Sequence, residues 1–277
     1  MNPKLKKTLT LSGKYAVLIL VSLVMLFPFY WMVITSLKES TQIFVFPPEL
    51  FPRKITFGNY VEMFDNMKFF RYMWNSILVS GSNCIGIVVF SGLAAYAFAK
   101  VRFPGRDIIF LVFLAGMMVP LEVITVPLYF MLGKFKWVNN LISLIVPAVF
   151  GTAGVFGLFI LRQFFITVPN ELVEAAKVDG ANARSTLWYV TIPNLKTSLA
   201  LCAMLRTIDS FRIFDKVNLL TGGGPANSTT TITQYIYNYG IKTLKFGLGS
   251  AGALIMTVIV LILASLYIKN ALKTKGI

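Results

Sequence analysis

Long stretches without a charged residue constrain this chain more than any other feature of its sequence. Tyr15 to Leu37 is uncharged over 23 residues, Tyr72 to Ala99 over 28, and Phe246 to Ile268 over 23. An α-helix rises about 1.5 Å per residue, so about 20 residues cross a hydrocarbon layer about 30 Å thick. Each of these three stretches is therefore predicted to span a membrane as a helix.

Three further apolar stretches carry prolines or charges. They run over 108–130, 137–161 and 197 to about 219. With all six counted, the sequence predicts an all-α polytopic membrane protein with six transmembrane helices. The predicted organisation is a basic N-terminal segment, first helix and external loop at 1–71, a transmembrane core at 72–268 with a polar interval at 162–196, and a tail at 269–277.

The composition argues against several other classes of protein. Hydrophobic residues make up 56% of the chain, whereas a soluble domain contains about 45–50%. The net charge of +15 is spread over many short loops, which favours contact with membrane lipid over binding of nucleic acid. Histidine is absent, and Cys84 and Cys202 both lie in apolar stretches, so we expect no metal site. A membrane enzyme would have few groups for general acid–base catalysis.

The sequence also lacks a phosphate-binding loop. Such a loop ends in Gly-Lys-Ser/Thr, but Gly13-Lys14 is followed by Tyr15, and no lysine follows Gly222-Gly223-Gly224. We therefore expect no catalytic residue and no cofactor on this chain. If ATP drives its activity, a separate subunit must bind it.

Lysine and arginine counts predict the orientation, because cytoplasmic loops carry more of these residues. With six spans, the loops on the side of the two termini hold 14 of them and the opposite loops hold 9. Both termini and the interval 162–196 are therefore predicted to be cytoplasmic.

The interval 162–196 has the pattern of a helical hairpin. Pro169 suits the first turn of a helix, because its φ is fixed and its missing N–H would be unpaired there. Gly180 can adopt a positive φ and end this helix. Asn182 can cap a second helix, which Pro193 is expected to end.

Five positions of this hairpin carry a resemblance to a known family. Glu174, Ala175, Ala176, Gly180 and Pro193 match in register the cytoplasmic EAA loop of permease subunits in ATP-driven, binding-protein-dependent (ABC) importers. The stretches 94–99 and 103–106 are similar to the end of the second helix in the carbohydrate-uptake type, the maltose and glycerol-phosphate permeases. The resemblance implies the type I ABC importer permease fold in a bacterial or archaeal cytoplasmic membrane.

The resemblance also implies partners and roles. The loop would couple this chain to an ATPase subunit dimer that binds ATP and Mg²⁺, and the coupling residues would be Glu174, Ala175, Ala176, Asp179, Gly180, Ala181 and Pro193. A second homologous permease and an extracytoplasmic solute-binding protein would complete the importer. The solute would be a sugar, oligosaccharide, polyol or glycerol-phosphate-like molecule. An amino acid or polyamine permease, or a stand-alone secondary transporter or channel, are the alternatives.

Two further groups of residues are candidates for contact with the solute or the binding protein. Polar groups within the spans usually face a cavity or a partner, so a substrate path is proposed at Asn83, Glu122, Arg206 and Asp209. For Arg206 and Asp209 the alternative is a structural ladder of charges at i,i+3 spacing with Arg212 and Asp215. The external Gly222, Gly223, Gly224 and Pro225 resemble a loop that can reach toward the binding protein, and the alternative is a plain connecting loop.

The six-span topology can be tested with reporter fusions. Because of the loop charges, fusions after Lys177 and Lys273 should report the cytoplasm, and fusions after Glu49, Lys134 and Lys242 the outside. Alkaline phosphatase and green fluorescent protein fusions at matched expression make the measurement. A cytoplasmic signal at Glu49 would contradict the six-span arrangement.

Overall fold

The computed structural model describes residues 3–66 and 68–274, and every regular element among them is helical. The α-helices in chain order are α1 (Pro3–Ser36), α2 (Ser40–Ile43), α3 (Gly58–Val61), α4 (Phe69–Lys100), α5 (Arg106–Gly116), α6 (Leu121–Lys134), α7 (Ile142–Phe150), α8 (Thr152–Thr167), α9 (Asn170–Val178), α10 (Ala183–Ser185), α11 (Ile192–Asn194), α12 (Lys196–Phe211), α13 (Ile232–Ile236) and α14 (Phe246–Thr274). Short π-helices cover Glu62–Asn66, Thr186–Thr191, Val217–Thr221 and Tyr237–Lys242, and a 3₁₀ turn covers Pro225–Asn227.

Four stretches are long and apolar enough to cross a membrane, among the residues that the structure describes. They are Gly13–Ser36, Phe69–Lys100, Ile142–Thr167 and Phe246–Lys269, and they correspond to the first, second, fourth and sixth predicted spans. The third is divided between α5 and α6, and the fifth is represented by the 16-residue α12. The count of six therefore stays a prediction.

Prolines and glycines explain where the helical stretches break. The predicted third span breaks between Gly116 and Leu121, and Pro120 directly precedes α6, since it can start a helix but cannot continue one. Pro127 lies inside α6 without ending it. The fourth span breaks at Gly151, which has an extended backbone between α7 and α8.

The chain forms two compact units. The first contains α1 to α3, the end of α13 and the beginning of α14, and the second contains α4 to α12, the start of α13 and the end of α14. In the first unit, the Asn59 amide donates hydrogen bonds to the Ser36 and Lys38 carbonyls, both at 2.9 Å. A Cβ on Gly249 would lie 2.6 Å from the Cα of Gly240, so these small residues allow the backbones of the two segments to pack closely.

An aromatic and aliphatic cluster forms the core of the second unit. It joins α4, α5, α8 and α12 through Phe98, Phe110, Leu161, Phe165 and Cys202, all buried. The cluster lies directly beside the ends of the 162–196 interval and holds the helices that enter and leave it.

The segments that flank the core contain further helical structure. The segment Lys38 to Arg71 contains α2, α3 and a π-helix. The predicted tail at 269–277 is helical through Thr274, and residues 275–277 lie outside the described residues.

The break between α7 and α8 depends on Gly154. A Cβ there would overlap the Val149 carbonyl oxygen, so Gly154→Ala requires the backbone to move. We expect Gly154→Ala to lower the unfolding midpoint in detergent and to reduce the free energy of unfolding by about 1–3 kcal/mol. Gly81→Ala is the control, because it lies inside α4 and its Cβ would meet nothing within 4 Å. Equal unfolding midpoints for the two variants would contradict this account.

Candidate functional site

The first helix of the 162–196 interval ends in a Schellman motif. Gly180 has φ +84°, its N–H donates to the Lys177 carbonyl at 3.0 Å, and the Ala181 N–H donates to the Ala176 carbonyl at 2.9 Å. These two bonds satisfy carbonyls that the end of α9 would otherwise leave unpaired. The prediction that Gly180 ends the helix with a positive φ is confirmed.

The second half of the interval begins as predicted and ends differently. The Asn182 side chain accepts a hydrogen bond from the Ser185 N–H at 2.8 Å, which confirms it as the cap. Pro193 was expected to end this helix, and that prediction is wrong. It occupies the first turn of α11, where a proline is tolerated, and the chain continues through Leu195 into α12.

The hairpin presents an exposed surface of mixed character. Glu174, Ala175, Asp179, Gly180 and Pro193 are exposed, while Ala176 and Ala181 are partly covered. Val178, Trp188 and Tyr189 are also exposed, with 87%, 58% and 82% of their surface accessible. Large exposed apolar side chains in a polar loop are available for contact with another protein. The EAA pattern did not identify them, although an aromatic pair in a polar interval is a readable signal.

A cavity of about 220 Å³ in the second unit brings together three of the four residues proposed for the substrate path. Asn83 of α4, Arg206 and Asp209 of α12, and Arg212, Asp215 and Lys216 beyond it, line this cavity with Ala148 and Ala153. Glu122 does not line it and is exposed on α6.

Arg206 is held on two sides. Its guanidinium donates to the Asp209 carboxylate at 2.5 Å and lies 4.7 Å from the centre of the Phe156 ring of α8. Its side chain is 7% exposed, whereas that of Asp209 is 54% exposed. A planar guanidinium suits both contacts, because it is permanently charged and stacks on aromatic rings. Phe156 was not predicted, and no sequence pattern marks it.

Two buried polar atoms beside this cavity have no hydrogen-bond partner within the described part of the chain. They are Arg206 Nε and Asn83 Oδ1. Buried polar groups are nearly always hydrogen-bonded, because desolvation without a partner is costly. Arg206 Nε is a donor and Asn83 Oδ1 is an acceptor, and water molecules or hydroxyl groups can bond to both kinds of atom.

The alternative ladder of four charges does not form as a continuous row. Helix α12 ends at Phe211, so Arg212 and Asp215 do not continue its i,i+3 spacing. Among the described residues, Arg206 and Asp209 form a salt bridge, and none joins Arg212 to Asp215.

The glycine loop at 222–225 is compact and attached to α4. Gly222, Gly223 and Gly224 all have positive φ, of +58°, +93° and +69°. The Asn75 amide donates to the Ser228 and Thr230 carbonyls, both at 2.9 Å, which anchors the following residues. Pro225 and its neighbours stay exposed at the tip, so a contact surface is available there.

Comparison with known proteins relates these features to one family. A family model described as "binding-protein-dependent transport system inner membrane component" matches residues 87–271. The chain is 32% identical over 200 residues to the diacetylchitobiose uptake system permease protein of Streptomyces coelicolor, covering 72% of this chain and 66% of that protein. It is 31% identical over 202 residues to the sn-glycerol-3-phosphate transport system permease protein of Brucella suis, covering 70% of each.

A solved structure agrees in fold. One chain of a bacterial ABC transporter involved in the import of the acidic polysaccharide alginate has a TM-score of 0.82 and 19% sequence identity, over 95% of this chain and 97% of that chain. The likeness concerns the arrangement of helices. The matched residues 87–271 include the hairpin, Arg206 and Asp209.

The Arg206–Asp209 pair predicts different effects for two aspartates. Asp209→Ala leaves a buried guanidinium unpaired, and we expect the free energy of unfolding to fall by about 1–3 kcal/mol. This loss is smaller than for a fully buried ion pair, because Asp209 is half exposed. Asp215→Ala removes an exposed charge and should stay within about 0.5 kcal/mol of wild type. Thermal unfolding in detergent measures both. Asp209→Asn, which keeps an acceptor, should fall between them, and equal losses for Asp209→Ala and Asp215→Ala would contradict the assignment.

Proposed function

Because this chain belongs to the family of binding-protein-dependent transport system inner membrane components, we propose that it is the permease subunit of an ATP-driven importer for a sugar, oligosaccharide, polyol or glycerol-phosphate-like solute. The observation that carries this proposal is the family match over 87–271, which contains the hairpin that resembles an EAA loop. The protein is a multi-pass component of the cytoplasmic membrane. Both termini are proposed to lie in the cytoplasm.

The hairpin is proposed to couple the chain to an ATPase dimer. Glu174, Ala175 and Gly180 are exposed where a partner can reach them, and the Schellman motif gives the end of α9 a fixed geometry. ATP and Mg²⁺ would bind to that partner. This chain supplies a rigid surface that moves with the partner's cleft, so its role in the cycle is mechanical.

The cavity beside Arg206 is proposed to lie on the solute path. Alternating access requires an interior polar surface that opens to one side of the membrane at a time, and charged groups near the midplane are usually found on such a surface. Arg206 Nε and Asn83 Oδ1 offer a donor and an acceptor that hydroxyl groups of a solute can satisfy when the cavity opens. Glu122, on a different helix, is proposed as a contact with either the path or a partner helix.

The remaining partners follow from the family. The family description names a binding protein, and the exposed tip at Gly222 and Pro225 is proposed as part of the surface that meets it. A second, similar permease would complete the membrane portion, and lipid would cover the rest. The relatives named above transport diacetylchitobiose and sn-glycerol 3-phosphate, which favours a carbohydrate-like solute over an amino acid or polyamine.

Reconstitution tests this function. In vesicles that contain this chain, its partner permease, the ATPase and the binding protein, we expect ATP-dependent uptake of at least one carbohydrate-like probe. The probes are labelled diacetylchitobiose, maltose and sn-glycerol 3-phosphate, and labelled glutamine and spermidine represent the alternatives. Uptake of glutamine or spermidine alone would overturn the solute class, and uptake without ATP would overturn the importer.

Two substitutions at one position test the coupling hairpin in the same vesicles. A Cβ at Gly180 would meet nothing within 4 Å, so only the positive φ restricts this position. Gly180→Val should be strained by about 1–3 kcal/mol, displace Glu174 and reduce both ATPase association and solute-stimulated hydrolysis. Gly180→Asn is the matched control, because asparagine tolerates this conformation, and it should retain coupling. Wild-type coupling in Gly180→Val would show that the hairpin is not the transmission element.

A further inference from the structure

Lys100, the last residue of α4, is bonded to the chain on both sides of Pro169. Its ammonium group donates to the Val168 carbonyl at 2.6 Å and to the Asn170 side-chain oxygen at 2.8 Å. Val168 follows the end of α8, and Asn170 is the first residue of α9. One side chain thus ties a membrane-spanning helix to the base of the hairpin.

Neighbouring contacts make this junction rigid. Arg162 of α8 donates from Nε to the Phe98 carbonyl at 3.3 Å, in the last turn of α4. Its guanidinium also lies 4.3 Å from the centre of the Phe110 ring and 3.5 Å from the Asp107 carboxylate, both in α5. Val168 and Phe98 are buried in the same apolar cluster. Helices α4, α5 and α8 therefore meet at a packed point, and Lys100 is the group there that reaches the hairpin.

The helix that carries Lys100 also reaches both other candidate sites. α4 is a single helix of 32 residues without an internal proline. Asn83, on the cavity, lies 17 residues before Lys100, or about 25 Å along the axis. Asn75, which anchors the glycine loop, lies 25 residues before Lys100, or about 38 Å. A displacement at the inner end of such a helix is carried along its whole length.

We propose that Lys100 is a positioning residue that fixes the base of the coupling hairpin to α4, so that α4 and its cavity-lining Asn83 move when the hairpin moves. This inference rests on the proposed importer function. Lys100 would touch neither solute nor ATP. Its effect is on how much of the hairpin's displacement reaches the membrane helix.

A cysteine reporter on α4 tests this directly. In the assembled importer, with Cys84→Ser and Cys202→Ala in this chain, Asn83→Cys provides this chain's single thiol, which lies on the cavity wall. We would measure its rate of labelling by N-ethylmaleimide without nucleotide and after trapping with ATP and vanadate. With Lys100 intact, trapping should change the labelling rate. If it does not, α4 does not follow the hairpin and the proposal is overturned.

The Lys100 variants separate transmission from a structural role. Lys100→Met removes the charge and both hydrogen bonds, and we expect the nucleotide-dependent change to fall about five- to tenfold, at the low end of typical coupling effects. ATP hydrolysis by the same complexes should persist. Lys100→Arg retains charged donors and should restore the change, and Asn170→Ala, which removes one of the two acceptors, should give an intermediate loss. A purely structural Lys100 would lower the yield of complex and leave the labelling change per complex intact, which would contradict the proposal.

Arg102 provides the matched control. It carries the same charge two residues further on, is exposed, and makes no hydrogen bond or ion pair among the residues described. Arg102→Met should therefore leave the labelling change at the wild-type level. An equal loss in Arg102→Met and Lys100→Met would attribute the effect to basic charge at the membrane surface and refute the specific contact. Failure of the unmodified importer to take up any probe would count against the proposed function, and not against Lys100.

Discussion

Side chains of α4 hydrogen-bond to the backbone of three other parts of the second unit, which depends on these bonds. The Asn75 amide and Ser76 hydroxyl bond to the chain around Ser228 and Ile232, and the Ser80 hydroxyl donates to the Thr207 carbonyl at 3.1 Å. Further in, the Ser91 hydroxyl donates to the Gly154 carbonyl at 2.7 Å. In hydrocarbon a backbone group has no water to bond with, so helix breaks need such partners. Small polar residues on one continuous helix allow the others to be interrupted.

The sequence predicted the long helices well and the interruptions only in part. A stretch without charged residues can be read directly from consecutive positions of the sequence, so the spans over α1, α4 and α14 could be recognised. The break before α6 coincides with Pro120, a residue that cannot continue a preceding helix. The break at Gly151 was harder to predict, because the contacts beside it are tertiary. The Val149 carbonyl approaches the backbone of Gly154, and the Ser91 hydroxyl donates to the Gly154 carbonyl. The apolar stretch 197–219 likewise did not indicate that α12 ends at Phe211.

The same difference between local patterns and tertiary contacts applies to the candidate site. Gly180 and Asn182 act through residues within three or four positions of themselves, so their roles could be predicted from local patterns. Pro193 was misread because a proline is compatible with the first turn of a new helix as well as with the end of an old one. Phe156 and Lys100 act on segments 50 and about 70 residues away. No spacing in the sequence indicates such contacts, and only the folded chain brings them together.

The hairpin is connected to the surroundings of Arg206 through the two helices that flank it in the sequence. Helix α8 ends at Thr167, directly before the hairpin, and α12 begins at Lys196, directly after it. Phe156 lies 11 residues before the end of α8 and Arg206 ten residues after the start of α12, about 15 Å from the hairpin in each case. Asp209 moves with Arg206 because both are in α12, whereas Phe156 moves with α8. A shift of α12 relative to α8 would therefore keep the ion pair and change the ring contact. Because the Arg206 guanidinium is held by one ion pair and one ring contact, it can exchange the ring contact and keep its counter-charge. This avoids the cost of an unpaired charge inside the membrane.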